Sequence, residues 1–113
     1  MKVIRNNDID YIVGENSKEN WKILENADDE DIWIHLHDCS SPYIIIKTYK
    51  TLDNNDLLYG GFICKQNSKY KNKNNLKMVF SSVKHVKKGK CSGEVILLES
   101  PNILIIPNSI SSI

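Results

Sequence analysis

The clearest alternation of hydrophobic and polar positions lies between residues 31 and 38. Side chains two residues apart in a β-strand point to the same face of the sheet. The alternation therefore predicts a strand with one apolar face and a second face that carries an indole and two imidazoles. The apolar face is formed by Ile32, Ile34 and Leu36, and the second face by Trp33, His35 and His37.

The rest of the chain predicts further short strands, separated by polar turns, and one main helix over about residues 56–67. The strands are expected at 2–5, 9–13, 43–48, 76–86, 95–98 and 103–106. Residues 20–26 form either a second, short helix that Ser17 caps or another strand. The last two strands are apolar on both faces and flank the turn 99–102, so we expect a hairpin that lies centrally or under the helix.

These elements predict an α+β fold, with a mostly antiparallel sheet of about six to seven short strands and one main helix packed on it. Residues 1–107 are expected to form a single domain and residues 108–113 a frayed C-terminal tail. Gly60 and Gly61 fall inside the predicted helix. Each glycine costs about 1 kcal/mol relative to alanine, so the helix either packs very closely on the sheet or is interrupted there.

The charges are segregated along the 113 residues, although the formal net charge is only +1. Residues 8–38 hold ten of the fourteen acidic side chains, whereas residues 57–93 hold nine lysines and no acidic residue. This distribution predicts a basic face for a polyanion, with an acidic face turned away from it. A solvated lysine-rich loop is the alternative. Asn, Ile and Lys make up 43 residues, which weakens any argument from the number of lysines alone.

The three cysteines are odd in number and form no Cys-x-x-Cys pair, so neither a disulfide framework nor a zinc ribbon is expected. No apolar run is long enough for a signal peptide or a membrane span. We therefore expect a reducing, cytoplasmic location and no association with membranes.

Catalysis is not indicated, because the chain has no nucleophile elbow, phosphate-binding loop, dinucleotide fingerprint or zinc-protease motif. His35, His37 and Cys39 share strand parity and are an alternative zinc site, but the Ser40-Ser41-Pro42 turn is expected to bend the chain before Cys39 is in line. We predict a protein that is not an enzyme and that holds neither a metal nor a cofactor.

The strongest candidate for binding is the basic segment near residues 84–90. Lysines bind phosphate as point charges without reading sequence, and Arg5 is the single arginine, so backbone or shape recognition is predicted. The tyrosines Tyr43, Tyr49 and Tyr70 are available for contacts with bases or sugars. The predicted contacts are Lys84, His85, Lys87, Lys88 and Lys90, extended by Lys65 and Lys69.

Together these landmarks resemble the NFACT-R domain, an RNA-binding module of ribosome quality-control factors that also occurs at the head of eukaryotic coiled-coil proteins. The run Asp31-Ile-Trp-Ile-His35 is similar to the family's most specific signature. Tyr43 after Pro42, where the family usually has histidine, and Gly60-Gly61, where it has alanine, depart from the pattern. The resemblance extends over about residues 9–106, and its other elements are Tyr11-Ile-Val-Gly14, Asn20, Ile23-Leu24, Cys39–Lys47, Lys65–Ser68, Val79–Lys88 and Gly93-Glu-Val95.

The resemblance implies a stand-alone module that binds structured RNA, such as transfer RNA or ribosomal RNA, with DNA as another ligand found among relatives. It also implies that His35 or Trp33 contacts sugar or base. The chain as given carries no further domains or coiled coil of the large factors, so their ribosome-anchored functions are not expected from it alone. Two alternatives stay open: a protein-interaction or self-associating module that uses the acidic segment 25–31 and exposed strand edges, and a metal-dependent hydrolase that uses His35 and His37.

Overall fold

A computed structural model describes residues 1–37, 40–48 and 50–107 of the chain. It has two α-helices and eight strands, which confirms the α+β class. The predicted tail 108–113 lies outside the described residues, as do Cys39 and Tyr49. The elements are β1 (Lys2–Asn6), β2 (Ile9–Val13), α1 (Ser17–Glu25), β3 (Ile32–Leu36), β4 (Ile44–Ile46), α2 (Asn54–Gln66), β5 (Leu76–Ser82), a 3₁₀ turn (Val83–His85), β6 (Val86–Lys88), β7 (Val95–Leu97) and β8 (Asn102–Ile106).

Six strands form one antiparallel sheet in the order β1-β2-β4-β3-β5-β8. The β1–β2 hairpin turns through Asn7 and Asp8, whose φ angles are 56° and 63°. Asn and Asp tolerate this left-handed region better than other non-glycine residues, and two such residues in succession suit the tightest hairpin loops. β3 lies near the middle of the sheet, between β4 and β5, so both of its edges are paired.

α2 covers one face of the sheet. Asp53 caps it by accepting the backbone N–H of Asp56, whose carboxylate accepts the N–H of Asp53 in return. The helix runs uninterrupted through its two glycines, because they allow close approach. A Cβ on Gly60 would lie 2.9 Å from Cδ1 of both Ile34 and Ile46. Of the two possibilities raised by the sequence, close packing is therefore correct.

The opposite face is covered by α1 and by a separate two-stranded sheet of β6 and β7. Residues 17–25 are helical, so the alternative of a strand there is wrong. Asn16, rather than Ser17, is the N-cap, and its side chain accepts the backbone N–H of Glu19. The core on this face joins Ile23, Leu24, Trp33, Tyr43, Ile45, Val79, Val83 and Val86.

The predicted C-terminal hairpin is wrong. β7 pairs with β6, and β8 pairs with β5 at the edge of the main sheet. The two strands separate because each has its own apolar surface to cover: Ile106 packs under α2, and Leu97 packs against the core beneath α1. The expected central position of these strands is also wrong. Their outward side chains and Leu98, the residue after β7, are at the surface: Ile96, Leu98, Ile103 and Ile105 are 47–54% exposed.

The strand predicted over 76–86 is also divided. β5 ends at Ser82, and the 3₁₀ turn then leads the chain away from the main sheet into β6. The backbone N–H of Val83 donates to the carbonyl of Asp31 at 2.8 Å, and that of Lys84 to the carbonyl of Asp29 at 3.1 Å. These bonds tie the turn to the loop before β3. They thereby determine where the basic segment lies.

Candidate nucleic-acid interface

β3 presents the aromatic residues of the signature to the face that α1 covers. Trp33 is 1% exposed and His35 is half-buried. The two rings are stacked, with centroids 5.7 Å apart and planes 11° apart, and Tyr43 meets His35 edge-on at 5.3 Å. Trp33 is thus mainly a core residue that supports His35. Of the two residues expected to contact sugar or base, His35 is therefore the more accessible.

The indole N–H of Trp33 stands out among the buried side-chain nitrogen and oxygen atoms that the structure describes, because it alone has no hydrogen-bond partner. A buried donor without a partner costs about 1–3 kcal/mol, and such groups are rare in folded proteins. The protein therefore keeps an indole in a position where a wholly apolar side chain would avoid that cost.

A cleft of about 560 Å³ opens over His35. Its walls come from six separate parts of the chain, namely the first turn of α1, β3, the loop before β4, β5, the segment from Ser92 into β7 and the loop before β8. We call this space the His35 cleft. Its lining includes Ser17, Asn20, Trp33, His35, Leu36, His37, Ser40, Ser41, Val79, Ser92, Gly93, Val95, Leu97 and Pro101.

The wall after β6 is anchored by two long-range hydrogen bonds. The hydroxyl of Tyr43 donates to the carbonyl of Gly93, and the indole N–H of Trp21 donates to the carbonyl of Glu94 at 2.9 Å. Gly93 has a φ of +87°, and a Cβ there would lie 2.9 Å from Cβ of Ser17. Glycine is therefore required for this loop to approach α1, which explains its place in the Gly-x-Val element of the resemblance.

Asn20 fixes the opposite wall. Its side-chain oxygen accepts the backbone N–H of Tyr43 at 3.0 Å, and its amide donates to the carbonyl of Ser41 at 3.4 Å. Gly14 lies against it, since a Cβ on Gly14 would meet the Asn20 side-chain oxygen at 2.2 Å. The amide thus sets the path of the chain into β4 and, with it, the position of Ser41 in the cleft.

A second, smaller groove of about 240 Å³ continues from the His35 cleft to Lys69. The two spaces have Ser17, Asn20, Ser40 and Ser41 in common. We call this continuation the Lys69 groove. Of its lining residues, sequence analysis singled out Lys69 as a contact but not the serines. No sequence signal marks them, because they come from distant segments that only the folded chain brings together.

Burial lowers the pKa of His35, while backbone groups of Leu36 and Ser41 act weakly in the opposite direction. A histidine with a lowered pKa is neutral at pH 7 and offers one ring nitrogen as a donor and the other as an acceptor. The floor of the cleft is therefore an uncharged, planar and partly exposed ring.

Asp31, the first residue of the signature, connects two parts of the backbone and does not line the His35 cleft. Asp31 is 2% exposed, and its carboxylate accepts the backbone N–H groups of Asp28 at 2.8 Å and Thr48 at 3.1 Å and pairs with the ammonium of Lys47. Burial alone would raise the pKa of this carboxyl, but the Lys47 ammonium and the two N–H groups outweigh it and lower the pKa. Asp31 thus joins the loop before β3 to the end of β4, which keeps β3 in register.

The predicted basic residues 84–90 lie on and beside β6, where two of them pair with the acidic segment 25–31. Lys84 contacts Glu30 at 2.8 Å, and Lys88 contacts Glu25 at 2.6 Å. The acidic side chains are therefore beside the lysines, and the expected separation of an acidic from a basic face is wrong here. The segments lie close because the 3₁₀ turn is bonded to the loop before β3. We call Lys84, Lys87, Lys88 and Lys90 the β6 lysine group.

Within this group, Lys87 and Lys90 are exposed and, in the described part of the chain, form no ion pair. Lys88 additionally lies over the Trp21 ring, with its ammonium 5.1 Å from the centroid. His85 is half-buried and faces Glu99 at 3.4 Å. The charge that this group leaves open to a ligand is therefore smaller than its lysine count suggests.

Of the two lysines predicted to extend the basic segment, only Lys69 lies at the surface. Lys65 is fully buried, and its ammonium donates to the carbonyl of Lys71 at 2.7 Å, so it cannot serve as a surface contact for phosphate. Lys69 is exposed and borders the Lys69 groove near the first turn of α1, whereas Lys88 contacts Glu25 at the last turn. Lys69 therefore lies near the start of α1, beside the His35 cleft, and Lys88 lies near the end of the helix.

Among the described residues, no three His, Cys, Asp or Glu side chains are grouped to hold a metal ion. The zinc alternative included Cys39, which lies outside those residues. No helix that the structure describes is long and apolar enough to cross a membrane.

One comparison with known proteins shows the family, and another shows the fold. The model of the NFACT protein RNA binding domain matches residues 3–99, nearly the whole chain, although it ends before β8. A solved structure, the C-terminal part of the fibronectin/fibrinogen-binding protein from Streptococcus suis, shares the fold with a TM-score of 0.82 at 17% identity. That alignment covers 89% of this chain and 41% of the other. No curated protein matches in sequence. The chain thus belongs to the NFACT protein RNA binding domain family.

Proposed function

We propose that this domain is a non-catalytic module that binds structured RNA, such as transfer RNA or ribosomal RNA, through phosphate contacts of the β6 lysine group and Lys69. Membership of an RNA-binding domain family supports RNA as the ligand. A cytoplasmic location fits that role. DNA is the competing ligand to be tested.

The observation that carries this proposal is the exposure of Lys87 and Lys90 beside the two paired lysines of the same group. Lysines attract phosphate without sequence readout, and each phosphate neutralised releases counterions from the nucleic acid. Glu25 and Glu30 compete for the ammonium groups of Lys88 and Lys84. Binding is therefore expected to be moderate in affinity and strongly dependent on salt.

The test is a fluorescence-anisotropy titration at several salt concentrations with transfer RNA, single-stranded RNA and duplex DNA. Lys87→Glu/Lys90→Glu is expected to weaken RNA binding about 10-fold or more and to lower the salt slope by about 2. Lys50→Glu/Lys71→Glu makes the same change in net charge at exposed positions outside the β6 lysine group, and it should change binding little. Equal losses in both variants, or binding that ignores salt, would contradict the proposed surface.

Changing the acidic partners should act in the opposite direction. Glu25→Gln/Glu30→Gln frees Lys88 and Lys84 from their ion pairs. Exposed ion pairs contribute little to stability, so the variant should fold normally while it binds RNA more tightly and with a steeper salt slope.

A second candidate function, docking or self-association at a sheet edge, is favoured by one observation. Ile103 and Ile105 are about half exposed on β8, an edge strand with an unpaired side. The acidic part of that alternative is weakened, because Asp31 and Glu30 already have partners within the chain. Light scattering over a range of concentrations, with an Ile103→Lys/Ile105→Lys variant beside the native chain, separates a dimer from a monomer.

A further inference from the structure

The His35 cleft differs from the lysine groups in its chemistry, since its floor is aromatic and its lining, among the described residues, holds no Lys, Arg, Asp or Glu. We infer that this cleft takes a single unpaired nucleobase of the bound RNA, stacked against His35, while the β6 lysine group and Lys69 hold the flanking phosphates. The inference rests on the proposed function and adds to it a preference for RNA with an extruded base.

The floor of the cleft favours a planar, aromatic group. His35 is half-buried, stacked on Trp33 and braced edge-on by Tyr43, so its ring is held in a fixed orientation. Unpaired bases stack on histidine and other aromatic side chains in RNA-binding proteins. The imidazole is neutral at pH 7, because burial lowers its pKa, so stacking a base on it does not bury a charge.

The size and rim of the cleft agree with one base rather than a helix. Its volume of about 560 Å³ is within the usual range for small-ligand sites. Ser17, Ser40 and Ser92 supply exposed hydroxyl groups at the rim, which suit hydrogen bonds to the edge of a base. A paired base stays inside its duplex and cannot reach a recess of this kind, so the nucleotide must be unpaired or flipped out.

The path of the backbone follows from the walls of the cleft. The Lys69 groove continues from the cleft through Ser40 and Ser41 to Lys69. Another wall is formed by Ser92 and Gly93, two and three residues after Lys90. A strand that places phosphates near Lys90 and Lys69 has the His35 cleft along its path, which joins the β6 lysine group and Lys69 in one binding mode.

The test uses three labelled RNA duplexes of identical stem sequence: a fully paired one, one with a single bulged nucleotide, and one with an abasic residue in the bulge. The last two carry the same number of phosphates, so their difference reports the base alone. The native chain is expected to bind the bulged duplex about 10-fold more tightly than the abasic one, from base stacking. Equal affinities for the two would overturn the inference and leave the proposed function standing. No binding to any duplex would contradict both.

Two variants locate the effect in the cleft without removing a core side chain. Ser92→Trp places a large ring at the mouth of the cleft, whereas Ser100→Trp alters an exposed serine outside it. The first variant should lose the preference for the bulged duplex but keep its affinity for the abasic one, and the second should keep both. Loss of the preference in both, or in neither, would contradict the assignment.

An NMR measurement gives a readout that does not depend on affinity. The two indole N–H signals are assigned with Trp21→Phe, and the Trp33 signal is then followed during titration with each duplex. A base over His35 should shift the Trp33 signal with the bulged duplex only, because the Trp33 ring is stacked on His35. An equal shift with the abasic duplex would place the base elsewhere.

Discussion

The two faces of the six-stranded sheet are built in different ways, although β3 contributes to both. On the α2 face the core is closely packed, and Gly60 and Gly61 let the helix lie directly on isoleucines of the sheet. On the α1 face the core includes Trp33 and Tyr43, it holds an unpaired indole N–H, and a cleft remains open over His35. The α2 face is thus closed by packing, whereas the α1 face keeps an open space beside its core.

The two faces also differ in the interactions that hold them together. The α2 face is closed by volume, so a single added methyl group is expected to disturb it. The α1 face is held by specific bonds, such as those of Asp31 and Asn20, that position loops around an open space. Substitutions at Asp31, Gly61 and His35 separate the contribution of bonds from that of packing, and their expected effects on the free energy of unfolding decrease in that order.

The largest loss of stability is expected when the bonds around Asp31 are removed. Asp31→Ala leaves the Lys47 ammonium without its buried partner and the N–H groups of Asp28 and Thr48 without an acceptor. Breaking a buried charge pair by removing one partner costs about 3–5 kcal/mol. Urea unfolding followed by circular dichroism measures the change in the free energy of unfolding.

The control for this prediction is Asp29→Ala, which removes an exposed carboxylate of the same acidic run and should change stability by no more than about 0.5 kcal/mol. Similar losses in both variants would mean that general charge, rather than the bonds of Asp31, supports the loop before β3.

An intermediate effect is expected from filling the contact between α2 and β8. In Gly61→Ala the new Cβ would lie 2.3 Å from Cδ1 of Ile106, so strand or helix must move. Overpacking of this kind costs about 1–3 kcal/mol, partly offset by about 1 kcal/mol of better helix propensity. Thermal or urea unfolding should therefore show a net loss of stability.

The double variant Gly61→Ala/Ile106→Val sharpens the test, because valine lacks the Cδ1 atom that the new methyl group meets. Its loss should be smaller than the sum of the two single losses. Strict additivity would show that the close approach of α2 to the sheet is not the cause.

The smallest effect concerns the pH dependence of the open face. Burial lowers the pKa of His35 in the folded chain, so between the ordinary histidine pKa of about 6.5 and the lower folded value the unfolded chain binds more protons. Stability is therefore complete above about pH 6.5 and falls as the pH drops below it, by at most about 1.4 kcal/mol per pH unit for one proton.

The measurement compares the native chain with His35→Gln, which keeps polar atoms but does not titrate in this range. The free energy of unfolding from pH 7 to pH 5 should fall less steeply in the variant. Parallel curves for the two chains would show that His35 does not carry the pH dependence, and that the imidazole is less buried than the structure has it.

Local patterns in the sequence were sufficient for several parts of this protein. The alternation at residues 32–36 fixed both the strand and its two faces, because side chains in a strand must alternate. The main helix was also predictable, whereas the sequence left open whether its two glycines allow close packing or interrupt it. The signature around Trp33 gave the family.

Only the tertiary structure decided which distant segments meet. β7 and β8 have the same apolar pattern, and nothing in either strand indicates that one pairs with β6 and the other with β5. The burial of Lys65 and the pairing of Lys84 and Lys88 with acidic partners depend on contacts between residues far apart in the chain. The His35 cleft depends on such contacts most of all. Its walls belong to six segments, so its shape exists only where folding brings them together.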